Sequence, residues 1–334
     1  MYGRCQNADP GFNLVCGKGY LYANSGNNGD GINLVFAGSA NTAIHEVTLV
    51  HDADAEFPGM NLVGNPFAVE ANIADGRDFY RLAEGGAEVM AEATNGIIQP
   101  MEGIFVHADN EEVMSFTTVS RGSQKRVIAL NVSQDRGNVI DRAIIRFGES
   151  RQLPKFQLNR NHTKLYIPQN GKDYAVVSAE EQGEMPLNFK AEKNGTYSLS
   201  LSSENVAFSY LHLIDNLTGN DIDLLAGAST GSATYTFDAR TTDYESRFKL
   251  VFVCGDANDD NDFAFYSNGS WVINNPSTGS GSEATLQVID VNGRILKSES
   301  INGCPSISVK AAPGIYMFRL INGDDVKVQK VVVR

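Results

Sequence analysis

Residues 284–334 read ATLQVIDVNGRILKSESINGCPSISVKAAPGIYMFRLINGDDVKVQKVVVR, a run of short apolar stretches cut by turns. Leu286 and Val288 alternate with Thr285 and Gln287, the two-residue period of a half-buried strand. Asn292-Gly293 follows and suits the two positive-φ sites of a tight hairpin, a device that returns at Asn302-Gly303 and Asn322-Gly323. Between the last two, Tyr316, Phe318 and Leu320 share one face of a strand, while Ile315 and Met317 lie on the other with Arg319. Both faces are largely apolar, so this strand is expected at the centre of a two-sheet sandwich.

Three motifs punctuate the segment: Asp290 with Gly293-Arg294, then Gly314-Ile315-Tyr316, then Lys330 ahead of the apolar run Val331-Val332-Val333. In order, spacing and position at the end of the chain, the set resembles the C-terminal sorting domain of the type IX secretion pathway, found in many surface and secreted Bacteroidetes-type proteins. The resemblance implies an immunoglobulin-like sandwich without catalysis. It implies an export signal read by the outer-membrane translocon, and a location outside the cell or on the surface of a Gram-negative bacterium. The purely structural reading of the same residues is a turn glycine feeding a core tyrosine, with Lys330 facing solvent.

Composition fits an all-β chain. There are 334 residues with 32 Gly, and the eight Asn-Gly dipeptides are abundant turn chemistry for two or three domains. Hydrophobic residues, at 42%, suffice for sizeable cores. Forty acidic against 27 basic side chains give a net charge of -13, which argues against nucleic acid and against an anionic membrane surface. No stretch approaches the roughly 20 apolar residues of a membrane-spanning helix. The opening MYGRCQNADPGF lacks the regions of a secretory signal, so an exported protein is expected to carry that signal further upstream.

In the first region strands are expected at Tyr20 to Tyr22, Ile32 to Phe36, Val47 to Val50, Ile104 to Val106 and Val113 to Phe116. The phrases Gly17-Lys18-Gly19-Tyr20, Leu34 to Gly38, Asn61 to Phe67 and Pro100 to Val106 occur in the order seen in non-catalytic regions preceding the sorting domain. Family members usually carry a further strand before the first phrase. No such strand is read here, so the chain is expected to begin inside or just before that domain.

The middle region opens with Arg126 to Val132 and Ala143 to Phe147 and closes with Tyr197 to Leu201, Leu211 to Asp215, Tyr235 to Phe237 and Arg247 to Phe252. Seven or so short strands at this spacing describe a sandwich without help from any resemblance. Leu213 to Gly219, followed by Asp223-Leu224 and Tyr235-x-Phe237, also resembles the sandwich just before the sorting domain. Helix is scarce, with Glu84 to Ala93 the best candidate and Gly85-Gly86 against it.

Asp256-x-Asn258-x-Asp260-x-Asp262 has the oxygen-ligand spacing of a calcium loop. Asn261 stands where the turn glycine belongs and Ser267 where the bidentate glutamate belongs, so a solvated acidic linker is preferred, with a weak interdomain calcium site as the alternative. Cys5, Cys16, Cys254 and Cys304 form neither a disulfide framework nor a zinc pattern. Cys5 and Cys16 can pair as a hairpin; free buried thiols are the simpler reading.

His45 and His51, six apart, are nearly 20 Å apart along one strand and are read as surface or turn residues. His107, His162 and His212 have no ligand-spaced neighbours. No nucleophile elbow, phosphate loop or zinc-protease motif occurs, and Ser202-Ser203-Glu204 reads as a strand-end turn. Trp271, the single tryptophan, is expected in a core.

The chain is therefore expected to be all-β. It divides into sandwiches over 1–121 and 122–254, then an acidic linker with an immunoglobulin-like domain over 255–334. The expected role is that of the non-catalytic end of an exported surface protein, with the last domain as sorting signal and the others as stalk or adhesion modules. A carbohydrate-binding module using exposed Tyr20, Tyr22 and Tyr80 is the alternative, with a surface glycan or host protein as partner. A hydrolase with a carboxylate pair hidden among the acids is a second.

Overall fold

A computed structural model describes residues 14–21, 39–42, 44–83, 88–92, 96–118, 125–135, 137–148, 152–225, 233–255, 263–267, 270–274, 284–301, 306–310, 312–323 and 325–333. Among these residues the secondary structure is all-β, with twenty-five strands in five sheets.

Alternation of apolar residues places side chains on both faces of most sheets, and the sheets stack in sequence order. Strands His45–Leu49, Glu112–Thr118 and Ala71–Ile73 form one sheet, and Met60–Gly64, Gly103–His107, Phe79–Leu82 and Val89–Ala91 the next. Leu49, Val63, Phe67, Phe79, Ile104 and Phe116 fill the space between them. The far side of the second sheet, with Tyr80, Phe105 and Ala91, packs on Val127, Ala129, Ile144 and Val176 of the middle region. Ile128, Leu130, Ala143 and Ile145 point the other way into the largest core. Strands Val127–Gln134 and Val139–Phe147 are thus buried on both faces, which is why they read as continuous apolar runs.

The middle region is one continuous eleven-stranded sheet that curls into two layers. Lys164–Gln169 makes the corner: its first half pairs Gln182–Lys190 and its second half Lys172–Ala179. Beyond the second layer, Tyr210, Val251 and Val253 meet Val272 of the last region. There Ala264–Ser267, Ser270–Asn274 and Ser306–Val309 form one sheet, and Ile295–Ser300, Ala284–Asp290, Gly314–Asn322 and Asp325–Val333 the other. Trp271, Ile273, Leu286, Phe318, Leu320 and Val331 form the core between them, with Trp271 edge-on to Phe318.

The phrase Leu213 to Gly219 acquires a physical meaning in this frame. Asp215 is wholly buried. Its carboxylate accepts hydrogen bonds from the Leu217 N–H (3.0 Å), the Tyr235 hydroxyl (3.0 Å) and the Arg247 guanidinium (Nη2, 2.9 Å). Gly219, at φ 75°, returns its N–H to the Asp215 carbonyl. Arg247 also donates to the Asp238 carbonyl and lies over the Phe237 ring, so one buried ion pair ties strands from both layers together.

The structure corrects several expectations. Val89–Ala91 is a strand inside the stretch read as a candidate helix. Ser202, Ser203 and Glu204 continue the strand Gly195–Glu204, paired to Ala129, Ile128 and Val127, rather than forming a turn. In the turn after Asp290 only Gly293 has positive φ, giving a three-residue loop with an adjoining bulge in place of a two-residue hairpin. Asn170-Gly171, at φ 50° and 76°, is the pair that places both residues in the left-handed region. Ile32 to Phe36 and the Asn302-Gly303 turn lie outside the described residues.

Candidate functional site

The residues singled out at the C-terminus, scattered from 290 to 330, converge on one end of one sheet. Asp290 ends Ala284–Asp290 and pairs directly with Tyr316; Tyr316 pairs with Val331, Met317 with Lys330, and Gly314 with Val333. The Asp290 carboxylate caps its own turn, accepting from the Arg294 and Asn292 N–H groups (both 2.9 Å) and from Arg294 Nε (3.1 Å). The Arg294 N–H foremost, with Asn292 and the Arg294 charge, holds that carboxyl below its ordinary value.

Gly314-x-Tyr316 has an equally local cause. The tyrosine ring folds back over the glycine, where an added Cβ would lie 3.2 Å from Oη and 3.3 Å from Cε2, and the hydroxyl donates to the Ala312 carbonyl (2.9 Å). Gly314→Ala is expected to displace the ring and destabilise the C-terminal sandwich by about 1–2 kcal/mol. A denaturant midpoint unchanged from wild type would contradict that account.

The strand Gly314–Asn322 is central, as expected, but only one of its faces is covered. Phe318 and Leu320 are fully buried, while Ile315 on the other face is 43% exposed. Across the register that outward face also carries Ile289, Met317, Ile321, Val326, Val328 and Val332, with Thr285, Gln287, Arg319 and Lys330 among them. At the opposite end of the stack the outward residues are Glu46, Thr48, Val113, Ser115 and Thr117. That terminal face is therefore mostly polar and the other mostly apolar with cations. Residues 284–334 hold seven basic and four acidic side chains, in contrast to the acidic chain as a whole.

Other candidates fare differently. Asp256, Asn258, Asp260 and Asp262 lie outside the described residues; within those described, no three His, Cys, Asp or Glu side chains gather to hold a metal. Tyr80 is buried, not exposed: its hydroxyl donates to the Pro154 carbonyl (2.7 Å) and accepts from the Phe156 N–H (3.0 Å). Tyr20 is 38% exposed, and Tyr22 is outside the described residues. Glu92 and Glu102, two converging carboxylates, both pair with Arg81.

His51 and His107, unrelated by sequence spacing, come edge to face at 6.5 Å. Burial pushes the His107 imidazole down, assisted by His51 and opposed by Asp109. Cys16 is exposed and Cys254 half-buried, which corrects the reading of both as buried thiols. No described helix is long and apolar enough to cross a membrane.

The phrase Asn61 to Phe67 proves to be a polar stitch, and Leu34 to Gly38 lies outside the described residues. Asn65 Nδ2 donates to the Val69, Ile98 and Gln99 carbonyls, and Asn61 Nδ2 to those of Val50 and Gly59. Comparison with protein-family models, with curated proteins and with solved structures finds no match.

Proposed function

We propose that this chain is the non-catalytic part of an exported cell-surface protein, in which residues 284–334 form the sorting signal and the preceding sandwiches a stalk. The observation that carries this reading is the convergence of Asp290, Gly293, Arg294, Gly314, Tyr316 and Lys330 on one end of a sheet whose outer face is largely apolar and, among the described residues, covered by no other sheet. Contiguous apolar surface rimmed by charge is the character of a protein-binding site. The occupant in this reading is a component of the type IX outer-membrane translocon. The face closes the last layer of the stack, so a partner reaches it without displacing another sheet. Apolar clusters between successive layers make the stack a stiff spacer, which suits a stalk.

Fusing residues 255–334 behind a secreted reporter in a host with this pathway tests the signal. Surface delivery of the reporter is the expected result. Substituting Ile315 and Val332 together by aspartate should abolish it while leaving the domain folded. A folded wild-type fusion retained in the periplasm, or a double variant delivered as well as wild type, would overturn the proposal.

A further inference from the structure

Cys16 stands on a turn closed by a hydrogen bond from the Lys18 N–H to the Val15 carbonyl (3.1 Å), and its thiol is exposed and free. Two polar side chains, four residues apart on a distant stretch of the chain, meet it. His45, at the start of His45–Leu49, donates from Nε2 to the Cys16 carbonyl (3.3 Å). A carbonyl can only accept, so in the neutral ring Nε2 carries the proton and Nδ1 keeps its lone pair. That Nδ1 lies 3.9 Å from Cys16 Sγ, within reach of its proton. Asn41 donates from Nδ2 to Sγ at 2.8 Å, and the same amide donates to the Pro66 carbonyl at 3.2 Å, which fixes which way it faces.

Gly17 permits the approach. It has φ 77°, and a Cβ there would lie 2.8 Å from His45 Nε2 and 2.6 Å from Val47 Cγ2. A nucleophile, a base fixed beside it and a donor to the developing anion are the parts an activated thiol requires. Cys254 lacks them. Burial pushes its thiol up to about 12, with Glu181 adding to the effect and Arg126 opposing it.

We propose that Cys16 is a thiol–disulfide exchange site, with His45 as its base and Asn41 as the donor to sulfur, taking an accessible disulfide as co-substrate. The Cys16 proton passes to His45 Nδ1 as sulfur attacks one sulfur of the disulfide. The new bond joins Cys16 Sγ to that sulfur, the old S–S bond breaks, and the departing thiolate recovers the proton from His45. One thiol and one disulfide enter, and one of each leaves. The chain thereby acquires a covalent adduct on its first described turn, a means of tethering a disulfide-bearing molecule.

The test treats the full native chain with dithiobis(nitrobenzoate) and follows release of the coloured thiolate, with peptide mapping of the adduct. The fastest phase should place the adduct on Cys16, ahead of Cys5, Cys254 and Cys304. His45→Gln should slow that phase about tenfold or more, and Asn41→Ala should slow it severalfold, whereas all variants should react alike once denatured. A Cys16 already disulfide-bonded to Cys5 in the native chain would overturn the proposal. So would a Cys16 rate indifferent to both substitutions.

Discussion

Arg247→Met is expected to destabilise the middle sandwich by about 3–5 kcal/mol, because it leaves the Asp215 carboxylate buried without its cation. Both side chains are almost fully buried, 2.9 Å apart, and the guanidinium lies over the Phe237 and Phe248 rings at 4.5 and 5.2 Å. Methionine keeps much of that packing, so the loss reports the charge. The double variant Arg247→Met, Asp215→Leu should recover part of the loss, since no charge is then stranded. Urea midpoints at unchanged slope measure both. A loss below about 1 kcal/mol for the single variant would mean that solvent reaches Asp215.

The same pair sets a pH dependence. Burial alone raises the Asp215 carboxyl, but the hydrogen bonds and charge of Arg247, with the Leu217 N–H and the Tyr235 hydroxyl, outweigh it and hold the group below its ordinary 3.8. A depressed folded value stabilises the fold above the unfolded value and ceases to do so as pH falls through the folded one. Wild type should therefore lose a component of stability below about pH 4. The doubly apolar variant should lack that component.

Asp78→Ala is expected to cost a comparable amount, about 3–5 kcal/mol, and to change the cooperativity of unfolding. Asp78, from the first region, pairs with Arg146 and lies 3.7 Å from Lys125 Nζ, both of the middle region and all three buried. Lys125 also donates to the Gly76 carbonyl, and Tyr80 bridges to Pro154 and Phe156 beside them. Removing the carboxylate leaves two buried cations side by side on the middle region's face of the junction. Regions that unfold together in wild type should then unfold in two steps, the first region before the middle one, by fluorescence and circular dichroism recorded in parallel. A single unshifted transition would show that the apolar contact alone holds the layers.

Much of the sheet architecture was legible because strand periodicity is local. The runs around Val127 and Ile144 declare strands, and the Met185, Leu187, Phe189 alternation of Gln182–Lys190 was equally open to that reading despite Pro186 within it. Ala71–Ile73 and Val89–Ala91 are too short to show a period. Partners were hidden. Asp215 and Arg247 are 32 residues apart, and nothing in either segment marks its charge as buried. Tyr80 was read as exposed, but it is buried, and the neighbouring charges are spent within the fold, Asp78 on Arg146 and Arg81 on Glu92 and Glu102.

The C-terminal motif residues were legible singly; their convergence was not. It depends on register between Ala284–Asp290, Gly314–Asn322 and Asp325–Val333, and register is a tertiary property. The turn after Asp290 shows the limit of dipeptide signals. Asn292-Gly293 suits a two-residue hairpin, but the Asp290 carboxylate captures the Asn292 and Arg294 N–H groups and stabilises the longer loop.

Where the protein goes, and whether residues 255–334 send it there, is read directly by protease shaving and fractionation of cells making the native protein with and without those residues. The intact protein is expected to be cleaved at the surface and the shortened one, still folded, to be protected in the periplasm. Surface cleavage of the shortened protein at the same level would contradict the proposed sorting role.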